Sequence, residues 1–241
     1  SHITLTAMVE GMREEVVLLP HLQRLSMLSL EEALLLRRST RSFTGEPVKL
    51  RQLAMILWAA NGITGRLERR TVPSAGATYP LNLYAVVGEG GVVKENGDRL
   101  PAGVYLYDAP KHFLLLKIPG DLRSELQKAA LKQIWVGQAP VSLVITAVYS
   151  KVVEIYGERG RTRYVPMEVG HAGQNIYLMA TALGLGTVAI GAFDDEDVSR
   201  VLSLRPEETP LYIMPVGVPR RSESVSFAEL NSFFESKRIR A

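Results

Sequence analysis

The longest uncharged stretch of the chain, residues 169–193, constrains the fold more than any other feature. It contains His171, Gln174, Asn175 and five glycines, so it is too polar and too often interrupted to cross a membrane. A buried helix followed by a buried strand explains the pattern better. Because a nearly all-apolar helix is covered on most sides, the chain needs a layered globular fold around it.

Apolar periodicity and capping residues predict the other elements. We expect helices at residues 30–38, 50–61, 122–134, 168–183, 194–202 and 227–237. We expect strands at residues 83–87, 103–107, 113–118, 141–148, 187–190 and 211–216. The β-branched run at residues 141–148 is typical of a central strand, and Asp121 and Asp194 are the expected caps of the helices that follow them.

Strands and helices are mixed along the chain without a strict strand–helix–strand alternation. This order predicts an α+β fold in layers rather than a doubly wound sheet. Residues 1–241 contain no internal repeat and no clear linker, so we expect a single domain. Within it, residues 1–28 are expected to form an N-terminal arm that is irregular or holds a short helix. Residues 222–241 are expected to form a C-terminal tail helix.

The composition argues against several kinds of function. No cysteine is present, which rules out disulfides, thiolate metal sites and cysteine nucleophiles and is typical of a cytoplasmic protein. The four histidines lack ligand spacing, so we expect no metal ion. The 28 basic and 25 acidic residues give a net charge of +3, and the basic residues lie in scattered clusters. We therefore expect neither nucleic acid nor a membrane as a partner.

Two common catalytic frameworks lack their sequence signatures. Gly184-Leu185-Gly186 follows a helix, whereas a dinucleotide-binding fingerprint lies between a strand and a helix, so these glycines indicate a helix end. No Gly-x-Ser-x-Gly elbow accompanies Ser39, Ser74 and His171, which argues against a serine hydrolase. His171 also lies near Glu168 and Gln174 on one helix face, where polar groups that bond to each other explain the pattern better than catalysis.

Two stretches have the composition of a ligand site. Residues 37–43 hold three arginines with hydroxyl side chains between them, and guanidinium forks and hydroxyls match phosphate oxygens. A solvated basic helix end is the alternative. In residues 73–80, two prolines bracket small residues, which leaves the backbone open to close approach by a ligand.

Four stretches, in the same order along the chain, resemble the nitroreductase family and its SagB-type dehydrogenase branch in particular. They are residues 37–43, 73–80, 182–194 and 215–217, and the resemblance covers about residues 29–221. It implies an α+β sandwich with a central mixed or antiparallel sheet flanked by helices, in an intertwined homodimer with FMN at each subunit interface. It also implies an oxidoreductase in which NAD(P)H reduces the flavin and an electron-poor acceptor, such as a nitroaromatic or a quinone, reoxidises it.

The resemblance also implies roles for individual residues. The positions that hold the phosphate, the ribityl chain or the ring edge are matched by Arg37, Arg38, Ser39 and Arg41. The stretch that approaches the flavin from the partner subunit is matched by Pro73, Ser74, Ala75, Gly76 and Ala77. The loop whose N–H groups face flavin N5 and O4 is matched by Ala189, Ile190, Gly191 and Ala192. A second phosphate cation is expected near Arg220 or Arg221, with Lys237 and Arg238 as alternatives, and a further ring-edge contact at Gln133.

The chain departs from the family pattern at two places. Azoline-oxidising members, as the branch implies, carry a Lys-Tyr pair before a glycine, and here that place reads Glu154-Ile155-Tyr156-Gly157. Classical nitroreductases often carry a glutamate where this chain has Gly191. Tyr156 is therefore a candidate substrate contact, and no catalytic acid or base is assigned because flavin N5 carries the hydride chemistry. Azoline oxidation in peptide modification and a non-catalytic role in flavin binding or storage are the alternatives.

Overall fold

The computed structural model describes residues 7–9, 12–222 and 224–238. The helices are α1 (Leu30–Leu36), α2 (Leu50–Asn61), α3 (Arg123–Ala129), α4 (Ile134–Gln138), α5 (Ser150–Tyr156), α6 (Val165–Ala182), α7 (Asp195–Leu202) and α8 (Phe227–Arg238). The strands are β1 (Ala7–Val9), β2 (Met12–Glu14), β3 (Val16–Leu18), β4 (Val48–Lys49), β5 (Leu81–Val87), β6 (Val92–Val93), β7 (Gly103–Asp108), β8 (Phe113–Pro119), β9 (Val141–Val148), β10 (Gly186–Thr187) and β11 (Glu208–Gly217).

Seven strands form the central sheet, in the order β10-β11-β9-β5-β7-β8-β3, and every neighbouring pair is antiparallel. Every residue of β9 is buried, as the β-branched run predicts. Leu143 and Ile145 pack in a core with residues of α2 and α6, whereas Val144 packs in a second core with residues of α3, α4 and α7. The sheet is therefore covered on both faces, which confirms the α+β sandwich.

Helix α6 crosses one face of the sheet and carries most of the uncharged stretch. It begins at Val165, earlier than predicted, because a π-helical turn at Gly160–Tyr164 leads directly into it. The basic and polar segment at residues 156–163 is therefore partly helical. The helix ends before Gly184, which has φ +73° and so forms the predicted left-handed cap. Burial is less complete than predicted, since Met167 (55% exposed), His171 and Gln174 form an open face in the single chain.

The predicted helix at residues 122–134 is wrong as a single element. Leu131 and Lys132 have φ of 55° and 62°, and this left-handed step separates α3 from α4. Asp121 lies one residue before the N-cap position of α3, which is Leu122, although its carboxylate does accept the Arg123 N–H at 3.2 Å. The same carboxylate accepts hydrogen bonds from the Arg123 guanidinium at 2.6 Å and from the Glu89 N–H at 2.8 Å. In contrast, Asp194 caps α7 as predicted.

The two ends of the chain differ in how far they match expectation. In the arm, β1 pairs with β2, and β3 joins the edge of the central sheet beside β8, whereas residues 19–28 have no regular secondary structure. The described part is therefore extended at first and then irregular, and it holds no helix. Residues 1–6, 10 and 11 lie outside the described part. The tail helix is present as α8, and residues 223 and 239–241 lie outside the described part.

Candidate active site

The arginine stretch begins where α1 ends. Ser29 and Glu32 form a capping box at the start of α1, with the Ser29 hydroxyl accepting from the Glu32 N–H at 3.1 Å and the Glu32 carboxylate accepting from the Ser29 N–H at 2.7 Å. Arg37 has ψ 124°, so the helix ends at Leu36 and not at Arg38 as predicted. The following segment runs beside β10, where the Thr40 N–H donates to the Thr187 carbonyl at 2.8 Å.

Arg220 and Arg221 line the same cavity as this segment. The Arg220 N–H donates to the Ser42 carbonyl at 3.0 Å, and Arg220 Nη2 donates to the Phe43 carbonyl at 2.9 Å. The cavity has a volume of about 430 Å³, within the range of about 300–1,000 Å³ that is usual for ligand pockets. Its polar lining includes Arg38, Ser39, Arg41, Ser42, Arg220 and Arg221.

This donor set suits a phosphate-bearing ligand. Guanidinium groups and hydroxyls are donors that match phosphate oxygens, and their mutual repulsion is relieved by an anion between them. Gly186 also lines the cavity, and a Cβ there would lie 2.5 Å from Thr40 Oγ1, so the backbone approaches closely only because the residue is glycine. The chemistry of the site therefore fits the phosphate of FMN.

The other predicted basic residues lie elsewhere. The Arg37 guanidinium lies 5.0 Å from the centre of the Tyr177 ring and so packs beside the cavity. In α8, Arg238 pairs with Glu235 at 2.6 Å, and Lys237 Nζ lies 5.2 Å from the centre of the Phe233 ring. Between the two C-terminal alternatives, the structure thus brings the 220–221 pair, and not the 237–238 pair, to the arginine stretch.

Tyr177 connects the arginine stretch to the loop at residues 189–192. Its hydroxyl lies 2.9 Å from Ser39 Oγ and accepts a hydrogen bond from the Ala189 N–H at 2.8 Å. Tyr177 is not among the residues predicted from the sequence, although a tyrosine in an otherwise apolar helix signals a hydroxyl that needs a partner. Tyr177 therefore fixes two stretches that are about 150 residues apart in sequence.

The loop at residues 189–192 presents fewer N–H groups than the resemblance implies. The Ala189 N–H bonds to Tyr177, and the Ile190 N–H donates to the Ile213 carbonyl at 2.9 Å. Within the described part of the chain, the exposed Gly191 and Ala192 N–H groups have no acceptor. These two amides are the donors that remain for a ligand.

Gln133, the residue immediately before α4, supports this loop. Its Nε2 donates to the Ala192 carbonyl and to the Ala130 carbonyl, each at 2.9 Å. Because both amide hydrogens are engaged, Gln133 acts on a ligand through the position of the loop, and only its Oε1 is left for a direct ring-edge contact.

The stretch Pro73, Ser74, Ala75, Gly76 and Ala77 forms a tight turn near the start of α6. Gly76 and Ala77 have φ of +60° and +52°, and such left-handed steps for a non-glycine residue are held by the surrounding structure. Ser74 Oγ donates to Glu168 Oε2 at 2.7 Å and accepts from the Tyr79 N–H at 3.0 Å. A Cβ on Gly76 would lie 2.7 Å from the Tyr156 hydroxyl, so the structure places the candidate substrate contact against this turn.

Glu168 is a buried carboxyl behind the turn, with 3% of its surface exposed. Burial raises its pKa to about 7, while the Ser74 hydrogen bond and the nearby Arg70 guanidinium act in the opposite direction. Its Oε1 has no partner among the described residues. His171 and Gln174, which the sequence places on the same helix face, are exposed and so do not join this group.

The predicted site residues therefore fall into two groups at opposite ends of α6. The arginine cavity lies at the C-terminal end, where Thr181 lines it, and the turn at residues 73–77 lies beside Glu168. Thr181 follows Glu168 by thirteen residues, which is about 20 Å along a helix.

Metal sites and membrane-spanning helices are two further features that bear on function. Among residues 7–9, 12–222 and 224–238, we find no group of three or more His, Asp or Glu side chains placed to hold a metal ion. No helix in that part of the chain combines the length and the apolar character needed to cross a bilayer.

Comparison with known proteins gives consistent matches. The family model described as "Nitroreductase family" matches residues 34–218. A protein of Methanocaldococcus jannaschii, provisionally assigned as a nitroreductase, is 46% identical over 190 residues, which are 79% of this chain and 91% of that protein. The trifolitoxin-processing protein TfxB of Rhizobium leguminosarum bv. trifolii is 30% identical over 146 residues, covering 59% of this chain and 38% of its own length.

A solved structure extends the match to the fold. The crystal structure of a provisionally assigned nitroreductase from Ralstonia eutropha JMP134 superposes with a TM-score of 0.71 at 31% sequence identity. The match covers 93% of this chain and 97% of the other.

Proposed function

The chain belongs to the nitroreductase family, and from this premise we propose that it is an FMN-dependent oxidoreductase. NAD(P)H is the proposed hydride donor, and an electron-poor compound such as a nitroaromatic or a quinone is the proposed acceptor. FMN, when bound, supplies the hydride chemistry, and the protein supplies binding, orientation and electrostatics. The observation that carries the proposal is that a single cavity is lined by Arg38, Arg41, Arg220 and Arg221.

The chain's own residues have distinct tasks in this proposal. The four arginines hold the phosphate as a set of fixed cations, and Ser39 and Ser42 add hydroxyl donors. The Gly191 and Ala192 N–H groups donate to the ring edge, where negative charge develops on reduction. Tyr177 fixes the positions of these two sets of donors relative to each other, because its hydroxyl contacts both Ser39 Oγ and the Ala189 N–H.

A second copy of the chain completes the proposed site. Helix α6 contacts α1, on which Leu30 and Leu34 are 64% and 52% exposed, and Met167 on the open face of α6 is 55% exposed. Exposed large apolar side chains of this kind are typical of a homodimer interface. Because the turn at residues 73–77 lies at the far end of α6 from the arginine cavity, we propose that each turn serves the cavity of the partner subunit.

The flavin content of the purified protein tests the cofactor. We expect bound FMN, and we expect Arg41→Ala and Arg221→Ala each to raise the Kd for FMN about tenfold or more, since each removes a charge-assisted contact. Arg205→Ala is the matched control, because Arg205 is an exposed arginine that pairs with Glu207. A protein that neither contains nor takes up FMN would overturn the proposal.

Anaerobic mixing with NADH or NADPH tests turnover. We expect the flavin absorbance to bleach, and we expect it to recover on addition of a quinone or a nitroaromatic. A flavin-loaded protein that no nicotinamide bleaches would instead support the non-catalytic role in flavin binding or storage.

Azoline oxidation is the second candidate, supported by the TfxB similarity and by Tyr156 lying against Gly76. The test incubates the flavin-loaded protein with an azoline-containing peptide. Loss of the mass of two hydrogens from the peptide would favour this candidate, and Tyr156→Phe should then slow the loss. An unchanged peptide mass would argue against it.

A further inference from the structure

Glu168, which is buried in the core, is hydrogen-bonded to Ser74 in the turn at residues 73–77. The Glu168 carboxyl is buried, and its Oε2 is bonded to Ser74 Oγ at 2.7 Å. Ser74 and Ala75 are half-buried, and Gly76 and Ala77, further along the turn, are exposed. A titratable group is thereby placed one hydroxyl away from the surface that the proposed function directs at the flavin.

The hydrogen-bond capacity of Ser74 allows a proton to pass through it. A hydroxyl has one hydrogen to donate and two acceptor positions, and the Tyr79 N–H already fills one acceptor position. When Glu168 is ionised, the Ser74 hydrogen points to the carboxylate. When Glu168 carries a proton, it can donate to Ser74 Oγ, and the Ser74 hydrogen is released to another acceptor. Thr78 Oγ1, 3.4 Å away, is such an acceptor within the turn.

We propose that Ser74 donates a proton to the acceptor substrate and that Glu168 is the proton store behind it. The proposal rests on the proposed function, in which residues 73–77 serve the partner's cavity. In this role Ser74 is the residue that touches substrate, and Glu168 acts through it.

The proton balance of the proposed reaction requires such a source. A quinone becomes a hydroquinone by gaining two electrons and two protons, and a hydride brings both electrons but only one proton. The remaining proton must reach the oxygen that gains negative charge. The Ser74 O–H bond breaks as a new O–H bond forms on the substrate. The Glu168 O–H bond breaks as the Ser74 O–H bond reforms, and the carboxylate regains its proton from solvent between turnovers.

The surroundings of Glu168 suit this task. A proton donor works best when its pKa lies near the working pH, and burial brings the pKa of Glu168 to about 7. Among the described residues, the charged group that acts on it is Arg70. The Arg70 guanidinium is held by its own bond to the Asn61 carbonyl at 2.9 Å and lies over the Tyr79 ring. Arg70 therefore lowers the pKa of Glu168 without closing an ion pair on it.

The experiment compares two acceptors in the FMN-loaded protein. A quinone needs a proton with its electrons, whereas ferricyanide accepts electrons alone. We expect Glu168→Gln and Ser74→Ala each to lower the ratio of the quinone rate to the ferricyanide rate about tenfold or more. In the unmodified protein the quinone rate should fall as the pH rises through about 7, and Glu168→Gln should abolish this dependence. Glu158→Gln is the matched control, since Glu158 is an exposed glutamate on the neighbouring turn.

A second measurement does not depend on turnover. Infrared difference spectra recorded against pH should show the C=O band of a protonated carboxyl that titrates near neutral pH and is missing in Glu168→Gln. If Glu168→Gln folds poorly, Glu168→Asp serves as the second variant. It keeps a carboxyl and should retain part of the pH dependence of the quinone rate. An unchanged rate ratio together with an absent band would overturn the proposal. Absence of flavin or of bleaching would instead overturn the proposed function, while the infrared band would still report on Glu168.

Discussion

The Tyr177 hydroxyl lies 2.9 Å from the Ser39 hydroxyl, and this contact joins the long helix α6 to the arginine segment. The same oxygen accepts the Ala189 N–H, so one side chain holds both sets of residues that are proposed to bind FMN. A phenyl ring at this position would keep the packing of the ring and lose both hydrogen bonds.

We therefore expect Tyr177→Phe to raise the Kd for FMN about tenfold and to lower the free energy of unfolding by about 1 kcal/mol. Fluorescence titration with FMN and chemical denaturation measure the two effects. Tyr105→Phe is the matched control, because it removes a hydroxyl that donates to the Pro101 carbonyl at 2.7 Å, in a strand remote from the cavity. It should lower stability and leave FMN affinity as it is. Equal FMN affinity in both variants would contradict the role assigned to Tyr177.

Gly186 provides a test of the close approach between β10 and the arginine segment. A Cβ at this position would lie 2.5 Å from Thr40 Oγ1 and 2.7 Å from Thr40 Cβ, so Gly186→Ala must displace the segment that carries Arg38 and Arg41. We expect weaker FMN binding by about tenfold, with the sheet intact by circular dichroism. Gly65→Ala is the control, since Gly65 has an extended φ of 175° and open space around it. Undiminished FMN binding in Gly186→Ala would show that the segment does not need this approach.

The parts of the fold that the sequence predicts well are those set by local pattern. The β-branched run of β9 and the glycine end of α6 are where they are expected, because burial and left-handed dihedrals have direct signatures in residue type. The break between α3 and α4 has none. Leu131 and Lys132 are good helix formers by residue type, so their composition does not mark the left-handed step that they adopt.

The candidate site shows the same difference between features set by local sequence and features set by tertiary contacts. Arginines and small residues mark the phosphate cavity and the turn by composition, and the structure brings Arg220 and Arg221 to the predicted segment. Contacts between distant side chains were not predictable. Ser74 and Glu168 are 94 residues apart, and burial, which changes the chemistry of Glu168, is a property of the packed chain.

Asp121 gives a prediction for stability against pH. Its hydrogen bonds with Arg123, the largest cause, and with the Glu89 N–H lower its pKa from an ordinary value of 3.8 to about 2 in the folded protein. Between these two values the unfolded chain binds more protons than the folded one, so this contribution to stability falls as the pH drops from about 4 to about 2. Above that window the contribution is complete.

Asp121→Asn should accordingly destabilise the protein at pH 7 by up to about 1 kcal/mol, a value set by the exposure of the pair to solvent. The difference from the unmodified protein should disappear near pH 2. Urea denaturation at several pH values measures this difference in stability. Glu125→Gln is the control, because Glu125 is an exposed glutamate on α3. A difference that is constant across this pH range would mean that the ion pair does not contribute.

The position of the two residue groups at opposite ends of α6 has a genetic consequence. In the proposed dimer, each site takes its arginines from one chain and its turn from the other. A chain defective in Arg41 and a chain defective in Ser74 would each be strongly impaired alone, yet a mixed pair would hold one site with no defect. Coexpression of the two should therefore restore about a quarter of the activity, since half of the pairs are mixed and each has one sound site of two. Two damaged alleles could thus sustain a function that neither supports by itself.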